Sequence, residues 1–302
     1  MRSVLKRISV FIAALMLVSC FCSCTANTSF ETDKFHVYCT VFPVYDLTKT
    51  IAGDDAEVKL MVPCGAEPHD WEPSTTDMRS IEKADVLITN GAGMEPWLET
   101  LEKSGSLKNV KVLDASTGAK VVDDDEHGKD PHIWLSFENA LTEIDNIEKF
   151  LSENDASHSD GYKDRADALK EEVTRIKGEY EEKLAPYRGE TIVVSHDAFG
   201  YMCSEFGLEE MAIDGLSEDS EPDAKTLATI TDFVKDNDIK AVFFDSYVSA
   251  DAAETLSDET GCELLSLRTF ETLDEDEYKD ADSRYCKVME DNLDSLIKGL
   301  SK

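Results

Sequence analysis

The sequence predicts an α/β fold of two lobes, each a mainly parallel sheet covered by helices, joined by one long spanning helix. In both halves of the 302-residue chain, short runs rich in Val, Ile and Leu alternate with segments of helix length, which is typical of parallel sheets with helices on their faces. Between the halves lies a charged segment with a single apolar stripe. Roughly 280 residues beyond the leader suit two domains, each with its own core.

The first 19 residues predict an export signal, because basic residues precede the apolar run Ile8–Val18. That run is shorter than the roughly 20 residues that a permanent membrane-spanning helix needs. The tetrapeptide LVSC, which ends at Cys20, has the form of a bacterial lipobox. Removal of the signal would leave Cys20 as a lipidated N-terminus and residues 20–35 as a lipidated tether to the membrane. An ordinary cleaved signal is the alternative, and Cys24 competes with Cys20 as the modified residue.

Four apolar runs in each half are the predicted strands of an N-terminal lobe at residues 36–157 and a C-terminal lobe at residues 188–302. Their Val, Ile, Leu and aromatic content is that of buried strands. The runs are VYCTVFP (37–43), VKLMVP (58–63), ADVLITN (84–90), KVLDAS (111–116), TIVVSH (191–196), EEMAIDGL (209–216), IKAVFFDS (239–246) and CELLSL (262–267).

The segment 158–187 is predicted to be one helix that links the lobes. Its apolar residues recur every three or four positions, which is the spacing of one helix face. They are Tyr162, Ala166, Leu169, Val173, Ile176, Tyr180 and Leu184. At 1.5 Å per residue the stripe is roughly 35 Å long, about the length of a small domain. A helix packed wholly on one lobe is the alternative.

The chain is strongly acidic. Its formal net charge is −34, and loss of the predicted signal, which carries three basic residues and no acidic one, would lower it to −37. Such a surface repels nucleic acid, so nucleic-acid binding is excluded. An acidic exported protein could instead concentrate cations near itself, although solubility alone also explains the charge.

Cysteine usage excludes two other classes of protein. Five cysteines follow Cys24, scattered singly: Cys39, Cys64, Cys203, Cys262 and Cys286. Without a Cys-x-x-Cys pair they form neither a zinc ribbon nor a dense disulfide framework. One or two disulfides are compatible with the count, and their connectivity is undetermined.

Three histidines share one context, the end of an apolar run or the turn after it. His69 lies in PHDWEPS, His132 in DPHIWLS and His196 in VVSHDAFG. In open α/β sheets, ligands bind at the carboxyl ends of strands, where all three would lie. Neutral imidazole is the commonest metal ligand, and three imidazoles with one open position suit a tetrahedral Zn²⁺ site. The three are candidate metal ligands, although each one alone is more often an ordinary turn residue.

The neighbours of these histidines could support them. Pro68 and Pro131 restrict the backbone just before two of them, which lowers the entropy lost on assembling a site. Asp70, Asp130 and Asp197 stand beside the three histidines and could accept hydrogen bonds that orient the rings.

Two tryptophans and the other three histidines have other interpretations. Trp71 and Trp134 could form an apolar wall beside a metal, or pack in the core. His36 opens the first strand and His158 the linking helix, so both are predicted to be structural or solvated. His127 lies in the acidic stretch DDDEHGKD, which could guide cations or be a solvated charge run.

With these motifs the chain resembles a known family, the zinc and manganese solute-binding lipoproteins of ABC importers (cluster A-I, zinc-uptake type). Besides DPHIWLS, the resemblance rests on VFPVYDLTKTIAGDDAEVKLMVPCGAEPHDWEPS (41–74), VVSHDAFGYMCSEFGLEEMAIDGLSEDSEPDAKTL (193–227) and FFDSYVSADAAETLSDETG (243–261). It implies a long helix spanning both lobes and a metal buried in the cleft between them. It also implies that His69 and His132 come from the N-terminal lobe and His196 from the C-terminal lobe.

The chain departs from the family pattern at two places. The acidic loop 123–130 is short and has one histidine, so a role in loading the metal is doubtful. Many members have a carboxylate in the loop after the last strand. In this chain the corresponding stretch is SLRTFET (266–272), and Arg268 is interpreted as lying near the position of that carboxylate. The fourth ligand is therefore unknown, either water or an unidentified carboxylate. Because imidazole suits zinc and oxygen ligands suit manganese, three histidines favour Zn²⁺.

The leading hypothesis is an extracytoplasmic protein, not an enzyme, that captures Zn²⁺ in the interlobe cleft and delivers it to an ABC permease. It would be a monomer anchored to the bacterial membrane through Cys20, with zinc affinity falling below about pH 6.5 as protons compete. Alternatives are a manganese or iron binder of the same family, or an adhesin with a structural metal. An exported zinc hydrolase, with Glu67, Glu72 or Asp197 as base, is a further alternative.

Overall fold

The computed structural model describes most of the chain from Phe30 onwards. The described residues are 30, 32–124, 128–213, 224–245, 251–273, 278 and 285–301. The predicted signal, Cys20 and His127 lie outside them. Within the described part, no helix combines the length and hydrophobicity that crossing a bilayer requires.

The N-terminal lobe is built on a parallel sheet of order β2-β1-β3-β4. Its elements are β1 (Phe35–Cys39), α1 (Phe42–Ala52), β2 (Ala56–Leu60), α2 (Thr75–Ile81), β3 (Val86–Thr89), α3 (Leu98–Ser104), β4 (Lys111–Asp114), the short antiparallel strands β5 (Asp123–Asp124) and β6 (Gly128–Lys129), a 3-10 turn (Ile133–Leu135) and α4 (Phe137–Asn154). The central strand β3 is buried along its whole length, as its apolar sequence predicts.

The C-terminal lobe repeats this architecture with the order β10-β9-β7-β8, again parallel. Its elements are β7 (Thr191–Val194), α6 (Gly200–Phe206), β8 (Glu209–Ala212), α7 (Ala224–Asp236), β9 (Ala241–Phe244), α8 (Asp251–Thr260), β10 (Glu263–Ser266) and α9 (Tyr285–Leu300). The predicted α/β class and all eight predicted strands are confirmed. The hairpin of β5 and β6 was not predicted, since its residues have no apolar pattern.

The linking helix α5 spans Ser159–Leu184. Its buried residues are the seven of the predicted apolar stripe. Near its start, Arg165 donates hydrogen bonds to the carbonyls of Ile51 (2.6 Å) and Ala52 (2.9 Å) at the end of α1. Near its end, Tyr180 donates to Asp294 of α9 (2.8 Å). The helix therefore contacts both lobes, as predicted, instead of packing on one.

The largest apolar cluster runs through both lobes, and each lobe has a smaller cluster of its own. The same buried cluster contains Phe42 and Trp134 from the N-terminal lobe and Phe199 and Phe270 from the C-terminal part. Phe42 and Phe270 meet edge to face, with ring centroids 4.9 Å apart, the arrangement that aromatic pairs prefer. The lobes are thus joined by packed side chains as well as by α5.

Residues just before β1, which fall in the predicted tether, pack on the sheet. The Phe30 ring stacks on His36 with centroids 4.1 Å apart. Thr32 donates to the Glu57 carboxylate from its backbone N–H (2.9 Å) and its hydroxyl (2.6 Å). Because β2 is an edge strand, these contacts cover part of an otherwise open edge. No disulfide joins the described cysteines.

Candidate metal site

The three predicted histidines meet in the cleft between the lobes. His196 lies two residues after β7, and His132 immediately precedes the 3-10 turn. His69 lies in the connection between β2 and α2, which ends in a capping box of Ser74 and Asp77 that starts α2. A fourth side chain, Glu271 after β10, joins them. Two parallel sheets thus present side chains to one crevice at the carboxyl ends of their strands.

The four side chains can direct one ligand atom each at a common point. Those atoms all lie within 4.8 Å of one another. His69 Nε2 is 3.2 Å from Glu271 Oε1, and His132 Nε2 is 3.3 Å from His196 Nε2. Two ligands of a tetrahedral Zn²⁺, each about 2.0 Å from the ion, are themselves about 3.3 Å apart. These two separations already match the edges of such a tetrahedron.

Glu271 and His132 form the closest contact of the site, with Oε1 and Nε2 2.6 Å apart. Burial alone would raise the pKa of Glu271, but the imidazoles of His132 and His69 hold it well below its usual value. Burial alone would lower the pKa of His132, but the carboxylates of Glu271 and Asp130 raise it to about 10. A cation would have to displace the proton that this pair holds, so protons compete with the metal already above the pH of about 6.5 expected for ordinary imidazole.

The remaining oxygen of this carboxylate supports a cation-binding role. Glu271 Oε2 is buried and has no hydrogen-bond partner among the described residues, and it lies 3.9 Å from His196 Nε2. A buried acceptor without a donor is costly unless a cation uses it. The arrangement suits an ion that contacts the carboxylate and the imidazoles together.

Asp130, one of the predicted supporting carboxylates, contacts its histidine. Its Oδ1 accepts hydrogen bonds from Nδ1 of His132 (2.8 Å) and from the His132 backbone N–H (2.9 Å). The bond to Nδ1 directs Nε2 into the site and orients the ring. Tyr201 donates to the Asp130 carbonyl (2.8 Å) and thereby ties this segment to α6.

The other two predicted aspartates, Asp70 and Asp197, have surroundings that differ from those of Asp130. Asp70 is exposed, and the backbone N–H of His69 is bound instead by Glu67 (2.9 Å). The charge of Asp197 raises the pKa of Glu210, behind the larger effect of burial. Adjacency in sequence thus correctly identified Asp130 as a supporting carboxylate.

The tryptophans also differ. Trp134 is fully buried, its ring meets His132 at 5.5 Å, and its Nε1 donates to the Thr269 carbonyl (2.8 Å). It is both a wall of the site and part of the core. Trp71 packs instead on Trp97, with centroids 5.7 Å apart.

Two of the remaining histidines lie outside the site. His36 pairs with Phe30 at β1, and His158 contacts Asp155 (2.6 Å) before α5. Both positions agree with the structural or solvated role predicted for them.

Glu271 is the residue that the sequence interpretation missed, since Arg268 was placed at that position. In the structure the backbone of Arg268 pairs with the side chain of Asn292 (N–H to Oδ1 2.8 Å, carbonyl to Nδ2 2.7 Å). Phe270 has a φ of 70°, the left-handed region that non-glycine residues rarely adopt. That turn brings Glu271, three residues beyond Arg268, into the cleft. The sequence did contain a signal for it, because Glu271 is the first acidic residue after the last strand, β10.

Comparisons with known proteins find zinc-binding and zinc-uptake relatives of this chain. The family model described as zinc-uptake complex component A periplasmic matches residues 37–299. The zinc-binding lipoprotein AdcA of Streptococcus pneumoniae serotype 4 is 34% identical over 309 residues, which cover 97% of this chain and 60% of AdcA. The high-affinity zinc uptake system protein ZnuA of Bacillus subtilis is 32% identical over 306 residues, which cover 96% of each chain.

Among solved structures, the Zn(II)-bound ZnuA-like domain of S. pneumoniae AdcA superposes with a TM-score of 0.79 at 34% identity. The match covers 89% of this chain and 100% of that domain. The chain thus spans about 60% of the AdcA lipoprotein.

Proposed function

We propose, from the premise that this chain belongs to the family of zinc-uptake complex component A periplasmic proteins, that it captures Zn²⁺ outside the cytoplasm and delivers it to an ABC permease. The family match confirms the resemblance recognised in the sequence. The observation that carries the proposal is the convergence of His69, His132, His196 and Glu271 on one point. Zinc is the cargo of this protein and not a resident cofactor.

The donor set favours zinc over manganese. Three imidazole nitrogens and one carboxylate suit tetrahedral zinc, whereas manganese prefers oxygen ligands and higher coordination. His132, His196 and Glu271 are almost completely buried, so the ion would exchange its hydration shell for protein ligands.

Binding without catalysis is the better proposal for this site. The curated relatives are named as zinc-binding and zinc-uptake proteins. Four protein ligands would leave no open position for a reactive water, which a catalytic zinc site requires. Of the bases considered for a hydrolase, Glu72 is exposed and Glu67 binds the His69 backbone N–H.

The membrane attachment is proposed from the N-terminal sequence. Lipidation of Cys20 would tether the domain outside the membrane, and S. pneumoniae AdcA is named as a lipoprotein. The protein would act as a monomer that docks on its permease, and its net charge, −34 for the full chain, would attract cations to its surface.

The proposal is tested by titrating the metal-stripped protein with zinc and with manganese. We expect one zinc ion per chain, bound more tightly than manganese, because imidazole nitrogen is the majority ligand. Stoichiometric zinc uptake by a His69→Ala/His196→Ala double variant, at the affinity of the unaltered protein, would contradict the proposed site.

Replacing Asp130 with asparagine should weaken zinc binding about 10- to 100-fold, since loss of an orienting hydrogen bond to a ligand histidine typically costs that much. Affinity is measured by competition with a chromophoric chelator. Asp70→Asn is the matched control, because Asp70 also adjoins a ligand histidine but is exposed. Equal losses in the two variants would mean that general charge, and not the bond to His132, matters.

A further inference from the structure

The segment that carries His132 turns sharply at the ligand itself. His132 has φ −76° and ψ 38°, and the backbone N–H of Ile133 donates to the Pro131 carbonyl (2.8 Å). These values are close to those of an inverse γ-turn centred on His132. Pro131 fixes only its own φ and leaves the turn at the next residue free. A ligand in so tight a turn therefore depends on further contacts to keep its backbone in place.

The Pro131 carbonyl accepts a second hydrogen bond, from the side chain of Asn90. Asn90 Nδ2 lies 3.0 Å from this oxygen and 3.1 Å from the Gly91 carbonyl oxygen. Because carbonyl oxygens only accept, the amide group has to present its nitrogen to both of them. Asn90 is completely buried, so water does not compete for this bond. The bond ties the loop after β3 to the residue just before a metal ligand.

Asn90 is itself fixed to the sheet by a buried carboxylate. Glu95 Oε1 accepts hydrogen bonds from the Asn90 backbone N–H (2.8 Å) and from the Thr40 hydroxyl (2.5 Å). Its Oε2 accepts from the Gly91 N–H (3.0 Å), and the Asn90 carbonyl accepts from the Ser116 N–H (3.0 Å). Thr40 directly follows β1, and Ser116 lies two residues after β4. The ends of three neighbouring strands thus hold the Asn90 backbone.

The loop after Asn90 has a strained backbone. Gly91 has a φ of 78° and Ala92 a φ of 51°, in the left-handed region that costs energy for a residue with a side chain. A Cβ atom at Gly91 would lie 1.8 Å from Asp114 Oδ1, so glycine is required there. The Ala92 N–H donates to Ser116 Oγ (3.1 Å). Strain of this kind persists where surrounding contacts impose it, and here those contacts determine where the Asn90 amide lies.

Resting on the proposed function, we propose that Asn90 is a positioning residue of the zinc site. By holding the Pro131 carbonyl, its amide fixes the turn at His132 and with it the direction of Nε2. Asp130 orients the same ring at Nδ1, so different residues set the backbone and the ring. Metal–ligand distances tolerate deviations of only about 0.2 Å, so a small shift of this turn should weaken the bound ion. Sequence adjacency does not reveal this role, because 41 positions separate Asn90 from Pro131.

The first test compares zinc binding by Asn90→Ala and Asn139→Ala. Asn139 is the matched control, because it is also buried, in the same lobe, and its Nδ2 donates to the Lys120 carbonyl (3.1 Å). Both variants should be less stable without metal, since each loses a buried hydrogen bond. Only the Asn90 variant should bind zinc more weakly, by about tenfold, the lower end of the loss that follows removal of a partner supporting a ligand. Affinity is measured by chelator competition and stability by denaturant unfolding. Asn90→Ser removes the same amide and replaces the alanine variant if that variant folds poorly.

The second test uses cobalt(II), whose visible absorption depends on the arrangement of its ligands. The cobalt-loaded Asn90 variant should have an altered spectrum, whereas cobalt-loaded Asn139→Ala should keep the original one. Zinc affinity that is unchanged in the Asn90 variant, or that falls equally in both variants, would overturn the positioning role, and so would an unaltered cobalt spectrum. If the unaltered protein takes up no zinc at all, the proposed function is refuted instead.

Discussion

Replacement of His132 by alanine is expected to weaken zinc binding by more than about 100-fold, beyond the loss caused by removing a supporting hydrogen bond. His132 is completely buried and contacts both Glu271 (2.6 Å) and His196 (3.3 Å). Its loss removes one metal ligand and also leaves the Glu271 carboxylate buried without its main partner. The second effect should lower the stability of the metal-free protein as well.

His158→Ala is the matched control for this variant. It removes the same side chain from a half-exposed position outside the cleft, where His158 contacts Asp155. Zinc affinity is measured by competition titration, and unfolding of the metal-free form by denaturant. Near-normal zinc binding by the His132 variant would show that the ion is held elsewhere.

Replacement of Glu143 by glutamine should stabilise the metal-free protein at pH 8 by about 4 kcal/mol. Glu143 lies on α4, is completely buried, and neither of its oxygens has a hydrogen-bond partner among the described residues. Burial raises its pKa from 4.5 to about 8, and the Asp114 charge adds to the shift. Because the unfolded chain ionises first as the pH rises, the native protein loses stability between about pH 4.5 and pH 8.

The glutamine variant has no such titration, so the difference in unfolding free energy should be small at pH 5 and grow towards pH 8. Denaturant unfolding at both values measures it. Glu153→Gln, an exposed substitution on the same helix, removes an equal charge and should follow the original pH dependence. If the Glu143→Gln variant also follows the original pH dependence, burial does not keep the Glu143 carboxyl group protonated.

The fold could be predicted because its signals are local. The seven stripe positions of α5 are those that the structure buries, since a period of three to four residues directly defines one face of a helix. The strands could be predicted for the same reason, because they are short apolar runs bounded by turns. His69, His132 and His196 could be grouped because each follows such a run.

The rest of the site depends on contacts that have no local signal. Glu271 is one of 64 acidic residues, and it reaches the cleft through a left-handed residue, Phe270. That backbone is held by Asp245, which accepts hydrogen bonds from the Thr269 backbone N–H (2.5 Å) and hydroxyl (2.8 Å). The position of this ligand thus depends on a side chain distant in sequence, Asp245, which periodicity and spacing cannot reveal.

The apolar cluster that runs through both lobes has a consequence for how the chain folds. Although each lobe also has a smaller cluster of its own, neither lobe alone completes this shared cluster, because residues such as Phe42 and Phe270 from opposite lobes pack against each other. Melting should therefore be a single cooperative transition, without a stage in which one sheet survives. A fragment that ends within α5 would leave this interior open to water and should aggregate.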